Sequence, residues 1–143
     1  ARTATADADT AGGQSNNHSM DAAKFEALVE KLKQWMDTEP NNAEGWAMLA
    51  RSYANLGKTD EAVSAYAKAV ALMPNDASLL ADYADSLAVK QGRNLEGEPT
   101  RLIARALAID PDDPKALSLS GTVAFGREDY AGAVKQWERI LSA

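Results

Sequence analysis

The stretch AEGWAMLARSYANLGKTDEAVSAYAKAVALMPND, residues 43–76, decides the fold of this chain. It follows Pro40 and closes on Pro74, and a third proline, Pro111, comes at a similar distance. The two intervals are 34 and 37 residues. Each proline stands just past an apolar run of helical period and ends it, because the residue before a proline is disfavoured in the α region. The sequence therefore predicts a helical repeat.

Within this stretch, large and small residues alternate in the order expected of two helices that pack against each other. The positions that carry the pattern are Trp46, Leu49, Ala50, Tyr53, Ala62, Tyr66, Ala69 and Pro74. This order is typical of the tetratricopeptide repeat (TPR), a helix pair that stacks on its neighbours into a superhelix. We predict an all-α TPR superhelix, or α-solenoid, of about three repeats.

The remaining segments extend the array in both directions. Apolar residues of the range 20–37 share one helical face, and we expect this helix to pack as an N-terminal half-repeat. Asn42 is the expected N-cap of the first repeat. The second repeat holds three extra residues, and its second helix is expected to begin near Pro99. The third opens with Asp113 as N-cap and Pro114 at the first helical position.

Residues 1–19 differ in composition from the rest of the chain. They are mainly Ala, Thr, Asp, Gly, Ser and Asn, with almost no large apolar side chain. Such a segment cannot bury enough surface to offset its ordering entropy. We predict a flexible arm or linker over residues 1–19 and a single TPR domain over residues 20–143.

Composition excludes several classes of function. The net charge is −6, and the 15 basic residues are scattered among 21 acidic ones. Since phosphate binding needs clustered Lys and Arg, we predict no nucleic-acid partner. There is no cysteine, hence no disulfide and no thiolate metal site. No apolar run approaches the ~20 residues of a membrane span.

The residue types that catalysis or cofactor binding needs are poorly arranged here. His18 is the only histidine and lies in the predicted arm, without the rigid surroundings of a triad, metal site or haem ligand. Asp82 and Asp85 form an i, i+3 carboxylate pair, which is more often solvated than catalytic. Asp110, Asp112 and Asp113 crowd one turn and could suggest a calcium site, but helix capping explains them with fewer assumptions. We predict a protein that is not an enzyme and binds neither cofactor nor metal.

The concave face of such a superhelix is formed by the first helix of each repeat, and solenoids bind partners there. The positions that we expect to line it are Met48, Arg51, Asn55, Asp82, Asp85, Val89, Leu119, Thr122 and Phe125. Met48, Leu119 and Phe125 offer adaptable apolar contact. Arg51 is expected to be free for a carboxylate, and Asp82 and Asp85 opposite it are expected to meet basic residues of a bound helix. We predict a groove for an amphipathic helix or an extended chain end, the alternative being an ordinary solvated helix face.

Four segments carry a resemblance to a known family. They are PNNAEGW (40–46), GRNLEGEP (92–99), ARALAIDP (104–111) and YAGAVKQWE (130–138). Together they resemble the TPR subunit of bacterial cytochrome c maturation, the class of the CycH-type and NrfG-type haem-lyase chaperones. The resemblance covers about residues 20–143. Its most specific part is the long Gly-Leu-Gly-Pro loop of the second repeat.

The resemblance implies a periplasmic domain, commonly tethered to an inner-membrane segment. Such a domain captures the C-terminal helix of apocytochromes c and presents it to the haem lyase. The implied partners are the C-terminal segment of apocytochrome c and the other subunits of the haem lyase complex. The arm over residues 1–19 would be the tether, and the Cys-x-x-Cys-His haem site would belong to the client.

Two alternatives stay open at this point. A co-chaperone TPR that clamps an acidic C-terminal tail needs a groove rich in Lys and Asn. The corresponding positions here are Ala47, Arg51, Asp82, Lys115 and Leu119. Of these only Lys115 fits well, and the two nearby aspartates would repel an acidic tail. The other alternative is a generic TPR scaffold within a complex, without a separate peptide client.

Overall fold

Seven α-helices follow one another along the chain, and the described residues contain no strand. The computed structural model describes the backbone of residues 3–142 and the side chains of residues 21–142. The helices are α1 (Thr3–Thr38), α2 (Ala43–Asn55), α3 (Thr59–Leu72), α4 (Ala77–Lys90), α5 (Glu98–Ile109), α6 (Pro114–Gly126) and α7 (Tyr130–Ser142). The predicted all-α TPR architecture is confirmed.

The first helix is longer than the hydrophobic pattern indicates. We expected it to begin at Met20, whereas α1 begins at Thr3. The hydrophobic pattern that predicted a start at Met20 does not extend over these added turns, so it could not indicate them. The side chains of the predicted arm, including His18, lie outside the described ones. The arm and the half-repeat packing of α1 therefore stay predictions.

Residues 1–38 and 39–143 form two separate units, and the second holds the three helix pairs. The helices of each pair, α2–α3, α4–α5 and α6–α7, contact each other. Successive pairs meet where α3 packs on α4 and α5 on α6. Helix α4 also contacts both α2 and α6. The first helices of the three pairs therefore form one layer, and the candidate site lies on it.

Small residues lie where the paired helices cross. Ala50 of α2 and Ala62 of α3 are fully buried, which lets the two backbones approach closely. Trp46 fills the space at the start of the repeat, and its indole Nε1 donates to the Pro40 carbonyl oxygen at 2.8 Å. Between the first two repeats, the ring of Tyr66 stacks on that of Tyr83. The repeat pattern in the sequence thus marks the contact positions correctly.

Side-chain caps fix the start of each first helix. Asn42 Oδ1 accepts from the Gly45 amide at 3.0 Å, and a carboxylate oxygen of Asp113 accepts from the Ala116 amide at 2.9 Å. Both caps were predicted and are confirmed. Asp76 caps α4 in the same way. Each such cap contributes about 1 kcal/mol to helix stability.

The insertion of the second repeat forms an ordered loop before α5. The side-chain amide of Gln91 donates from Nε2 to the backbone carbonyl oxygens of Asn94 and Glu96 at 3.0 and 3.2 Å. Gly97 ends the loop with φ 87°, a conformation that residues with a side chain rarely adopt. The Arg127 guanidinium at the end of α6 binds both carboxylate oxygens of Glu96. The loop is therefore held against the third repeat.

Candidate peptide-binding site

Five of the nine predicted site residues line one pocket on the layer formed by α2, α4 and α6. They are Arg51 and Asn55 from α2 and Asp82, Asp85 and Val89 from α4. The pocket has a volume of about 460 Å³. The two helices contribute because they are the first helices of adjacent repeats and lie side by side. The sequence prediction therefore brought together residues of two helices that are 27 to 38 positions apart in the chain.

The other pocket residues come from four helices. They are Ala54, Thr59, Tyr66, Ser86 and Lys115. Tyr66 is almost fully buried, and its ring also stacks on Tyr83 at 6.3 Å between centroids. Burial, and next the negative charge of Asp82, raise the pKa of the Tyr66 hydroxyl to about 12. A proton therefore stays on this hydroxyl throughout the physiological range, where it can donate a hydrogen bond.

Four charged side chains in the pocket form a continuous chain of three ion pairs, which we call the ion network. Asp82 Oδ2 lies 3.1 Å from Arg51 Nε, and Asp82 Oδ1 lies 3.3 Å from Lys115 Nζ. Asp85 Oδ2 lies 3.1 Å from the same Lys115 Nζ. The side chain of Asp82 is only 15% exposed, and it is the one carboxylate that contacts both cations. Two positive and two negative groups cancel within this network.

Lys115 holds the network together across two repeats. Burial disfavours its charged form, but the hydrogen bonds and charges of Asp85 and Asp82 outweigh burial and raise its pKa. From the sequence we considered Lys115 only for a carboxylate clamp, and this role was not predicted. The signal was available, because Lys115 sits near the start of α6, on the helix that α4 contacts.

The ion network limits how the charged residues predicted for the site can bind a ligand. We expected Arg51 to be free for a carboxylate and the two aspartates to be free for basic groups. Instead each is already paired inside the protein. A charged ligand would have to exchange one of these ion pairs for its own. Because exposed pairs contribute little, that exchange costs less at the exposed pair of Lys115 with Asp85 and more wherever it leaves the shielded Asp82 without a partner.

The other four predicted residues lie outside the pocket. Met48 is 59% exposed on α2, one turn before Arg51. Leu119 and Thr122 are on α6, and the Thr122 hydroxyl donates to the Ser118 carbonyl oxygen. Phe125 lies against Tyr130 and Trp137, with ring centroids 5.4 and 6.2 Å apart. Phe125 therefore belongs to an aromatic cluster of α6 and α7 and does not line the pocket.

The remaining chemical candidates are explained by local structure. The Asp82 and Asp85 carboxylates share one ammonium group, which accounts for their i, i+3 spacing. Asp113 caps α6, and Asp110 Oδ1 accepts from the Asp112 amide. Among the residues with described side chains, no cluster of acidic groups and histidine could hold a metal ion. No described helix is both long and apolar enough to cross a bilayer.

Comparison with known proteins gives a family match over most of the chain. Residues 11–143 match the family described as the cytochrome c-type biogenesis protein H TPR domain. The chain is 30% identical to cytochrome c-type biogenesis protein CycH of Pseudomonas aeruginosa over 118 residues. That match covers 82% of this chain and 29% of the relative.

Two further relatives carry names from nitrite reduction. The formate-dependent nitrite reductase complex bifunctional subunit NrfFG of Haemophilus influenzae is 31% identical, over 86% of this chain and 32% of its own length. Subunit NrfG of the same complex in Escherichia coli O157:H7 is 29% identical, over 83% of this chain and 58% of its own length. The chain therefore spans less than two thirds of the length of each of these relatives.

Solved structures match at the level of the fold. A crystal structure of MamA protein aligns with a TM-score of 0.71 and 18% sequence identity. The alignment covers 88% of this chain and 67% of that one. At this identity the match supports the helical repeat architecture alone.

Proposed function

This chain belongs to the family of cytochrome c-type biogenesis protein H TPR domains, and on that premise we propose that it captures the C-terminal helix of an apocytochrome c. It presents this helix to the haem-attachment machinery and does no chemistry of its own. Its role in cytochrome c maturation follows from the family. Our proposal goes beyond the family role in naming the segment that is captured, the C-terminal helix.

The observation that carries the proposal is the pocket between α2 and α4. Its floor is the Tyr66 phenol and its walls are the charged network and Val89. All four charged groups of the pocket are paired within the protein, and no described acidic cluster could hold a metal. Such a surface suits a polypeptide that brings both polar and apolar groups, because it offers hydrogen bonds without a net charge to be neutralised.

The proposed partners follow the same premise. The H. influenzae and E. coli relatives are named as subunits of a nitrite reductase complex. We propose that this chain likewise works beside other subunits, here those of the haem lyase. We place it in the periplasm as a domain tethered to the inner membrane. It needs no cofactor, because the haem-binding cysteines belong to the client.

A clamp for acidic chaperone tails is disfavoured by the same network. Arg51 and Lys115 are the two cations of the pocket, and both are held by aspartates. An incoming carboxylate would have to displace Asp82 or Asp85, which then lose their partners. The penalty for leaving a shielded carboxylate unpaired works against such a ligand.

A pull-down with three kinds of peptide tests the proposal. The immobilised chain is offered the C-terminal segment of an apocytochrome c, an acidic chaperone tail, and unrelated C-terminal peptides of equal length. We expect retention of the apocytochrome segment alone. Retention of the acidic tail would support the co-chaperone alternative. Retention of none would leave a scaffold without a peptide client and would contradict the proposal.

A further inference from the structure

The floor of the pocket between α2 and α4 is a hydroxyl group that no other described group binds. Tyr66, which carries this hydroxyl, is only 3% exposed and lines the pocket. None of the described groups forms a hydrogen bond with it. Among the described side chains, no polar atom that solvent cannot reach lacks a partner, so the hydroxyl opens on the pocket. A nearly buried polar group that is open on one side suits a ligand that enters from that side.

Further polar groups without a partner surround this floor. The side chains of Asn55, Thr59 and Ser86 line the pocket, and none of them forms a hydrogen bond with another described group. They come from α2, α3 and α4. The pocket volume of about 460 Å³ lies within the range of roughly 300–1,000 Å³ that is typical of ligand sites. The pocket can therefore hold a polar group that makes several hydrogen bonds at once.

The charges around this floor are not evenly placed, although the ion network as a whole is neutral. After burial, the main influences on the pKa of the Tyr66 hydroxyl are Asp82 and Asp85, which raise it, and Arg51, which lowers it. Two negative groups therefore act on the floor against one positive group. A positively charged ligand is attracted to such a position, and a negatively charged one is repelled.

Asp85 is the carboxylate that a positively charged ligand can take over. It pairs with Lys115 alone among the described side chains, and its own side chain is 46% exposed. If a ligand cation replaces Lys115 at Asp85, Lys115 keeps its contact with Asp82. The shielded Asp82 then still has both of its cations. The exchange therefore leaves no shielded charge without a partner, which is the arrangement that costs most.

A carboxylate has no equivalent place in the pocket. Bound to Arg51 or Lys115, it would be a third negative group beside Asp82 and Asp85. At Arg51 it would also compete with the shielded Asp82 for its cation. The net charge of the whole chain, −6, acts in the same direction. The electrostatics of the pocket therefore favour a basic group over an acidic one.

We propose that the pocket receives a basic side chain of the captured helix, preferably an arginine, with Asp85 as its ionic partner. This inference rests on the proposed function, because the client supplies the basic residue. A guanidinium spreads its N–H donors over a plane, whereas an ammonium holds them on one atom. The guanidinium is therefore the better match for polar groups that three helices contribute. Its methylene stem can pack on Val89, which lines the pocket and is 41% exposed.

Calorimetry with a synthetic C-terminal peptide of an apocytochrome c tests the inference. In a set of such peptides, each basic residue in turn is replaced by a neutral one of similar length, citrulline for arginine and norleucine for lysine. The protein variant is Asp85→Asn, which keeps the shape of the side chain and removes its charge. The matched control is Asp60→Asn. Asp60 also pairs with a lysine, Lys90, but it is 78% exposed and does not line the pocket.

We expect Asp85→Asn to bind the unmodified peptide about tenfold more weakly than wild type, and Asp60→Asn to bind it as wild type does. One neutral peptide should lose the same factor with wild type and nothing further with Asp85→Asn, because both partners of one contact are then absent. Tyr66→Phe should weaken binding about threefold, since it removes the floor hydroxyl and keeps the ring that stacks on Tyr83.

Other outcomes overturn the inference in distinguishable ways. If wild type, Asp85→Asn and Asp60→Asn bind the peptide equally well, the pocket takes no basic group while the proposed function stands. If every neutral peptide loses the same factor with Asp85→Asn as with wild type, Asp85 does not contact the client. If amidation of the peptide's C-terminal carboxylate weakens binding and no neutral replacement does, the bound group is a carboxylate. If wild type binds no apocytochrome peptide at all, the proposed function fails and the inference fails with it.

Discussion

Tyr66 connects the packing of the repeats with the chemistry of the pocket. Its ring stacks on Tyr83 of the next repeat, and its phenol lies among the charged groups around Asp82. One side chain therefore stabilises the contact between repeats and forms the pocket floor. Ionisation of the Tyr66 hydroxyl at high pH should therefore affect both the stability of the fold and binding at the pocket.

The raised pKa of Tyr66 predicts a loss of stability at high pH. The pKa is about 12 in the folded state and 10.0 without the fold. Since the folded protein keeps the proton longer than the unfolded chain, stability is unaffected below about pH 10 and falls between about pH 10 and 12. Absorbance titration of tyrosinate should show Tyr66 among the last tyrosines to ionise, and Tyr66→Phe should remove that step. Ionisation of all four tyrosines near the usual pKa would contradict this account.

Gly121 is required by the position of Trp137. A Cβ at residue 121 would overlap the indole ring of Trp137, so Gly121→Ala forces the ring away from α6. We expect a loss of about 1 to 3 kcal/mol of unfolding free energy in urea denaturation. Gly126→Ala is the matched control, because a Cβ there meets no atom within 4 Å. Equal stability of the two variants would show that the ring moves without cost.

The sequence predicted the packing residues better than the ion network. Trp46, Ala50 and Ala62 follow from the repeat pattern, because each contact inside a repeat is set by local helix geometry. The pairing of Arg51 with Asp82, and of Lys115 with both aspartates, joins three different repeats. It depends on the angle between successive helix pairs, which residue spacing does not specify.

At the scale of the elements, the insertion before α5 was likewise predicted only in part. Its local features followed from the sequence, and its contact with a distant residue did not. Its position and the start of α5 near Pro99 were predicted correctly from glycine and proline. Its contact with the third repeat was not predicted, since the Arg127 and Glu96 partners are 31 residues apart. The length of α1 was also missed, because the helix continues through residues that carry no hydrophobic pattern.

Gly97 is the residue on which the conformation of this loop depends. Its φ of 87° and ψ of −126° lie in a region that side chains disfavour strongly. We expect Gly97→Ala to lower unfolding free energy by about 1 to 3 kcal/mol, measured by urea denaturation. Glu98→Ala, one residue later at a helical position, should have little effect. A Gly97→Ala variant as stable as wild type would mean that the loop adopts another conformation at no cost.

At the scale of the whole molecule, residues 39–143 form a unit that contains the pocket and the aromatic cluster of α6 and α7. Its helix pairs contact their neighbours in the chain, as in other repeat proteins. Its stability should therefore depend on contacts between adjacent pairs and not on distant segments. The prediction of an arm over residues 1–19 can be tested on this basis.

Deletion of residues 1–19 should leave the melting temperature almost unchanged. The deleted segment has almost no large apolar side chain to contribute to a core. Thermal unfolding followed by circular dichroism measures this directly, and peptide affinity of the shortened protein provides the control. A clear drop in melting temperature would show that the segment is part of the folded domain and not an arm.

Client capture should depend on the folding state of the cytochrome. In a folded holocytochrome the C-terminal helix is packed in the protein's own core, and releasing it costs free energy. The domain should therefore bind the apo form more tightly.

At the binding surface, Phe125→Ala should cost about 1 to 3 kcal/mol of affinity if its ring is buried by the client. Asp85→Lys breaks the contact with Lys115 and should slow association with a basic client helix.

The most direct test of client capture is a calorimetric titration of the C-terminal apocytochrome peptide into wild type and into the Asp82→Ala, Asp85→Lys and Phe125→Ala variants. The account predicts binding by wild type, weaker binding by the three variants, and weak binding of the folded holocytochrome to all four proteins. Equal affinity of wild type and the three variants would contradict the assigned surface. Absence of binding to wild type would contradict the capture of apocytochrome c itself.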